Sequence, residues 1–169
     1  LDFPWARNPY HLSYGMVNLP EGKMKSREGT VVDADDLLAE LQRLALQELR
    51  DRDREKEVDD PDATAHAIAL GALHYYLLLV TPGKDMVFDP SASLSFTGNT
   101  GPYLQYVGAR ISSMIRKAQF DPATVAQADY SLLTLDSEWQ LIKHIGRFPE
   151  IVAKAAENYA PSEVAGYLA

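Results

Sequence analysis

The stretch that most constrains this chain is Gly98-Asn99-Thr100-Gly101-Pro102-Tyr103-Leu104-Gln105-Tyr106, which runs unbroken into Val107-Gly108-Ala109-Arg110-Ile111-Ser112-Ser113-Met114-Ile115-Arg116-Lys117-Ala118. Gly98 and Gly101 mark a tight loop, and Pro102 suits a first helical position, where its missing N–H costs nothing. Thr100 or Gly101 serves as N-cap, depending on the frame. Beyond it the spacing predicts a helix with two stripes. Leu104, Val107, Ile111, Met114, Ile115 and Ala118 share one side, while Tyr103, Tyr106, Arg110, Ser113 and Lys117 recur at steps of three and four. Such a helix can pack through one face and present the other to a partner. Periodicity alone also fits, more simply, burial of both stripes among neighbouring helices with the tyrosine hydroxyls satisfied locally.

Around this helix the chain reads as mainly α, a helical bundle with a short β-hairpin near the N-terminus. Residues 1–20 are an aromatic-rich connection that ends in a short strand at Met16-Val17-Asn18-Leu19. Thr30-Val31-Val32 reads as the returning strand, with the polar, glycine-bounded loop Lys23 to Gly29 near the tip. Asp33 to Arg50 is amphipathic. Asp33 caps it, Asp35 and Asp36 sit in the favourable first turn, and Leu37, Leu38, Leu41, Leu44, Ala45 and Leu49 form the stripe to be buried. The alternating charges of Arg50 to Asp60 predict a solvated helix extension or loop. Ala63 to Val80 has few polar residues and predicts a helix buried nearly all round. Thr81-Pro82-Gly83-Lys84 ends it, and Met86-Val87-Phe88 is a short extended piece. After the central helix, Phe120-Asp121-Pro122 breaks the chain and 123–129 reads as a connection. Helices are expected over Leu132 to Ile145, over Phe148 to Tyr159 and from Pro161 onward. The domain boundary falls near Ser95, dividing the chain into 1–95 and 96–169.

Composition narrows what these elements can do. With 169 residues the chain can bury a core as one domain or two small ones. It has no cysteine, which removes disulfides and thiolate metal sites from consideration. His66 and His74 lie two turns apart on one helix, too far to share a metal without other ligands, so no metal site is expected. The longest apolar run, Leu77 to Val80, is too short to cross a bilayer, and no membrane association is expected. The chain opens at Leu1 with neither a methionine nor a basic-then-apolar leader, which suggests a piece of something longer. The net charge of −8 argues against bulk electrostatic capture of nucleic acid, so any RNA contact must come from a local patch.

Two motifs carry chemistry. The loop Gly22-Lys23-Met24-Lys25-Ser26-Arg27-Glu28-Gly29 places Lys23, Lys25 and Arg27 together on a glycine-flanked turn. A triphosphate needs such mobile positive charge, which strengthens its grip as pyrophosphate develops charge on leaving. By contrast, His144-Ile145-Gly146-Arg147 looks like a nucleotide-binding signature but sits at the end of a C-terminal helix, where it reads as an ordinary helix terminus.

Taken together, the 98–106 stretch with Ala109-Arg110-Ile111, the loop at 22–29, Tyr14-Gly15-Met16-Val17 and Asp85-Met86-Val87-Phe88-Asp89 closely resemble arginyl-tRNA synthetases over essentially the whole chain. In that family the 22–29 loop resembles the class I signature Lys-Met-Ser-Lys-Ser. Here Lys25 precedes Ser26, as in the Lys-Thr-Arg variant of some arginyl enzymes. The resemblance implies a class I ligase that joins arginine to its cognate tRNA with Mg-bound ATP, through arginyl-adenylate, in the cytoplasm. It assigns Lys23, Lys25 and Ser26 to catalysis, and Lys23, Met24, Lys25, Ser26 and Arg27 to ATP. It makes 1–95 the end of the catalytic domain with a helical stem-contact region, and 96–169 the first part of an anticodon-binding helical bundle. Asn99, Tyr103, Tyr106, Arg110 and Lys117 are then candidate tRNA contacts. Apolar stripes left over at both ends of the piece are expected to favour self-association. The alternative is a free-standing helical RNA- or protein-binding module, which would have no use for the cationic loop.

Overall fold

The computed structural model describes residues 3–6, 8–20 and 33–169. The signature loop, Lys23 to Arg27, and the expected return strand at 30–32 lie outside the described residues.

Helix α1 (Ala34–Asp51) starts where Asp33 accepts the Asp35 N–H, and its first turn carries Asp35 and Asp36 against the positive end of the helix dipole. It packs against α2 (Pro61–Leu78), whose N-cap Asp60 accepts the Ala63 N–H. The charged connection between them makes one exposed 3-10 turn, Glu55–Glu57, held by Arg54–Glu57 at 2.6 Å and Arg50–Glu55 at 3.2 Å.

On α2 the residues Ala65, Ala69 and Ala72 are buried, and such small side chains let neighbouring helices approach closely. The burial is one-sided, contrary to the expectation of a helix covered all round. Ala67, His74, Leu77 and Leu78 remain exposed because α1 and α4 cover only part of its circumference.

Strand β1 (Val17–Asn18) pairs in parallel with β2 (Met86–Val87), Val17 beside Met86. Among the described residues the sheet near the N-terminus is therefore a parallel pair, with α1 and α2 falling between its two strands in sequence. What selects β2 as the partner is the burial of Phe88, which packs with Leu41 and Ala69 and meets Tyr76 edge-on at 5.1 Å. Val17, Leu19, Leu37, Leu38, Leu73 and Leu94 complete this core.

A one-turn helix, α3 (Pro90–Ser93), leads to α4 (Gly101–Ala118), which ends at Gln119 in a left-handed conformation. After 3-10 turns at Pro122–Gln127 and Tyr130–Leu132 come α5 (Asp136–Gly146), α6 (Phe148–Glu157) and α7 (Ser162–Leu168). Helix α5 begins later than the spacing suggested. The Glu138 carboxylate accepts the Leu135 N–H at 2.9 Å and Trp139 Nε1 donates to Leu133 O at 3.0 Å, which fixes the start at Asp136. Gly146 closes α5, so the His144 to Arg147 motif does end a helix.

Candidate nucleic-acid interface

Gly98 adopts φ +79°, the left-handed turn that a glycine permits, and Thr100 then caps α4. The Thr100 hydroxyl accepts the Tyr103 N–H at 3.3 Å and donates to the Ser95 carbonyl, so it is satisfied on both sides while buried. Pro102 follows in the first turn and is also buried.

This end of α4 is pressed onto α2. A Cβ on Gly101 would stand 2.1 Å from the Gly71 carbonyl oxygen, and one on Gly71 would stand 2.4 Å from Gln105 Nε2. Gln105 Nε2 donates to the Ala67 carbonyl at 3.0 Å. The two helices thus cross through paired glycines and a side-chain bond into the backbone. Neither glycine's contact nor the role of Gln105 is visible in periodicity, because the signal is a missing side chain rather than a repeated one.

From its second turn α4 leaves this support. Ile111, Met114 and Ile115 are about half exposed, so the apolar stripe is uncovered beyond Val107. The aromatic-cationic stripe is uncovered as well. Tyr106 is 50 % exposed, Arg110 and Lys117 are exposed, and Tyr103 is half-buried beside the crossing. Arg110 Nη1 donates to the Tyr106 hydroxyl at 3.0 Å, which lays ring and guanidinium over one patch. Among the predicted contacts only these two are brought together. Asn99 is exposed in the loop before the cap, and Lys117 lies about 10 Å farther along the helix than Arg110.

The field at this helix differs from that of the chain. Helix α4 carries Arg110, Arg116 and Lys117 with no acidic residue, and among the described residues none of the three is paired with a carboxylate. The acids crowd instead into 33–62. A planar aromatic, a guanidinium and unpaired cations on one solvent-facing helix can hold an unstacked base beside its phosphate. No helix among the described residues is long and apolar enough to cross a membrane.

Comparison with known proteins places both halves. Residues 2–89 match the model for the catalytic domain of class I tRNA synthetases of the R type, and residues 104–169 match the DALR anticodon binding domain. The arginine–tRNA ligase of Treponema denticola is 58% identical over 99% of this chain, and that of Flavobacterium psychrophilum is 46% identical over 99%. The solved arginyl-tRNA synthetase of Thermus thermophilus superposes on 94% of the chain with a TM-score of 0.81 at 32% identity. The chain spans 29% and 28% of those two curated relatives and 25% of the solved one. With one family model covering its first half, another its second, and the fold shared throughout, the chain belongs to the arginyl branch of the class I tRNA synthetases.

Proposed function

We propose that this chain is the part of an arginine–tRNA ligase that joins the end of the catalytic domain to the beginning of the anticodon-binding bundle, with the boundary near Ser95. The whole protein activates arginine with Mg-bound ATP and transfers it to its cognate tRNA in the cytoplasm. Lys23, Lys25 and Ser26 act in the activation step, and Met24 and Arg27 complete the ATP-binding loop. Adenylate formation breaks the bond between the α- and β-phosphates, and cations set against the departing pyrophosphate lower that barrier. Asn99, Tyr103, Tyr106, Arg110 and Lys117 contact the tRNA. The observation that carries the RNA half of this reading is the exposed Tyr106–Arg110 pair on an acid-free helix of an acidic chain. The half-exposed Ile111, Met114 and Ile115 support self-association when this piece stands alone.

The test is arginylation by the full-length protein that contains this chain, with release of AMP and pyrophosphate followed alongside. Formation of arginyl-tRNA dependent on ATP is the expected result. RNA binding without any transfer of arginine would leave only the free-standing binding module.

A further inference from the structure

Helices α5 and α6 meet at a cationic corner. Lys143 and His144 sit in the last turn of α5, and Arg147 is the single residue between the two helices, its N–H donating to His144 O at 3.1 Å. The corner is tied to α7. The His144 ring stacks on that of Tyr167 with centroids 4.3 Å apart and planes 8° from parallel, and the Phe148 ring lies 5.6 Å from the same tyrosine. His144 Nε2 donates to Tyr167 O at 3.2 Å, and the Tyr167 hydroxyl donates to His144 O at 2.6 Å. Rings and bonds together fix the backbone from which Lys143 and Arg147 project.

The charges at this corner lack the partners found elsewhere. Every cation of 33–62 has a carboxylate: Arg43 has Glu40, Arg50 has Glu55, Arg52 has Glu48, Arg54 has Glu57 and Lys56 has Asp53. Lys143 and Arg147 are exposed, and among the described residues neither is paired with a carboxylate. One turn apart, they line a depression of about 390 Å³ with Gln140, Leu141 and His144, and no acid faces it. His144 and Arg147 also border a second hollow of about 440 Å³, whose one acidic lining residue, Glu163, is held by Lys154 at 3.0 Å. The helix dipole accounts for Lys143 and His144, because cations are favoured in the last turn of a helix. It does not account for Arg147, where the negative end of α5 meets the positive end of α6 and the two offset each other. A guanidinium with no carboxylate and no dipole to complement, set between two open hollows, suits an anion from outside. Its planar fork matches two phosphate oxygens, and the Lys143 ammonium adds a point charge for the same chain of phosphates.

We propose that Arg147 and Lys143 form a phosphate-backbone contact for the tRNA at the α5–α6 corner, on a different helix from the Tyr106–Arg110 pair. This rests on the ligase reading above. Such a contact adds grip and fixes register without reading bases. The test titrates cognate and non-cognate tRNA into the full-length protein at several salt concentrations. Arg147→Gln should weaken binding of both tRNAs about three- to tenfold, by the same factor, and lower the dependence of log K on log salt by about one charge's share. Lys143→Gln should lower that slope likewise, and Arg147→Lys should restore it. Lys56→Gln makes the same change in net charge within the acidic connection and should leave the slope at its wild-type value. Unchanged slopes in Arg147→Gln and Lys143→Gln overturn the proposal. So does an equal fall in Lys56→Gln, which would make the effect one of overall charge, or a loss confined to the cognate tRNA, which would make it base reading. A loss of affinity that only tracks the loss of folded protein in thermal melts also overturns it. If wild type arginylates while the corner variants keep its slope, the corner alone fails. If wild type does not arginylate, the ligase reading fails first and the assignment of this corner to tRNA falls with it.

Discussion

The Tyr75 hydroxyl donates to the carbonyl of Ala165 at 3.0 Å, a buried contact across 90 residues that ties α2 to α7. Ala165 lies among the last four residues of α7, whose carbonyls lack a partner inside the helix. Tyr75 supplies that partner. A helix of two turns is too short to persist on its own, so its stability comes from this bond and from the burial of Ala165.

Tyr75→Phe should therefore destabilise the chain by about 1 kcal/mol, read as a lower urea midpoint at unchanged slope. The variant should also change the alkaline limb. Burial pushes the Tyr75 hydroxyl above the ordinary tyrosine value, so the folded state holds its proton more tightly than the unfolded state does. That contribution is fully present below the unfolded value of about 10 and is lost as pH rises through and beyond it. Wild type should lose stability above about pH 10 more steeply than Tyr75→Phe. Identical alkaline slopes would mean the hydroxyl is not held in the folded state.

Two glycines of α4 should respond oppositely to alanine. At Gly101 the new methyl meets the Gly71 carbonyl oxygen, which cannot retreat unless α2 and α4 separate, and a cost of about 1–3 kcal/mol is expected. At Gly108 nothing lies within 4 Å and the helix is exposed, so alanine should stabilise by about 0.5–1 kcal/mol through its better helix propensity. Thermal melts of both variants check this. A Gly101→Ala variant as stable as wild type would mean the crossing is looser than its geometry shows.

The elements governed by local chemistry were readable before the structure. Asp33 and Thr100 cap where side-chain oxygen and helix spacing require, and Pro102 falls in the first turn. What escaped depends on contacts distant in sequence. The pairing of Val17 with Met86 follows from burying Phe88, which no local pattern encodes. Tyr159 reads as the last residue of an ordinary helix until Tyr10 is seen beside it. At the candidate interface, spacing placed Tyr106 one turn from Arg110 correctly. It could not show that the apolar stripe of the same helix would stand open beyond Val107, because periodicity marks a face without naming what covers it.

The loop lysines should separate activation from binding. In the full-length protein, Lys23→Ala and Lys25→Ala should each slow adenylate formation by roughly 10²–10³-fold while arginine binding changes little, because their charge acts mainly as pyrophosphate departs. Single-turnover activation, measured beside arginine affinity, checks the split. Unchanged activation in both variants would move the role away from this loop.

The Tyr106–Arg110 pair gives the sharpest test of the RNA interface. Each side chain is exposed and their mutual bond is at the surface, so losing either should cost the fold little. Tyr106→Ala removes a stacking platform, for which about 1–3 kcal/mol of binding is the usual scale. Arg110→Ala removes a cation from a helix without acids, so it should weaken tRNA binding and lower the dependence of log K on log salt by about one charge's share. Tyr106→Ala should leave that salt slope unchanged, which distinguishes a stacking loss from a charge loss on adjacent turns. Titrating tRNA into the full-length variants at several salt concentrations, with melting temperatures recorded in parallel, reads both effects. If both variants bind tRNA as wild type does, the stripe has no RNA role. If their melting temperatures fall while affinity per folded molecule holds, the pair is packing that the full-length protein buries.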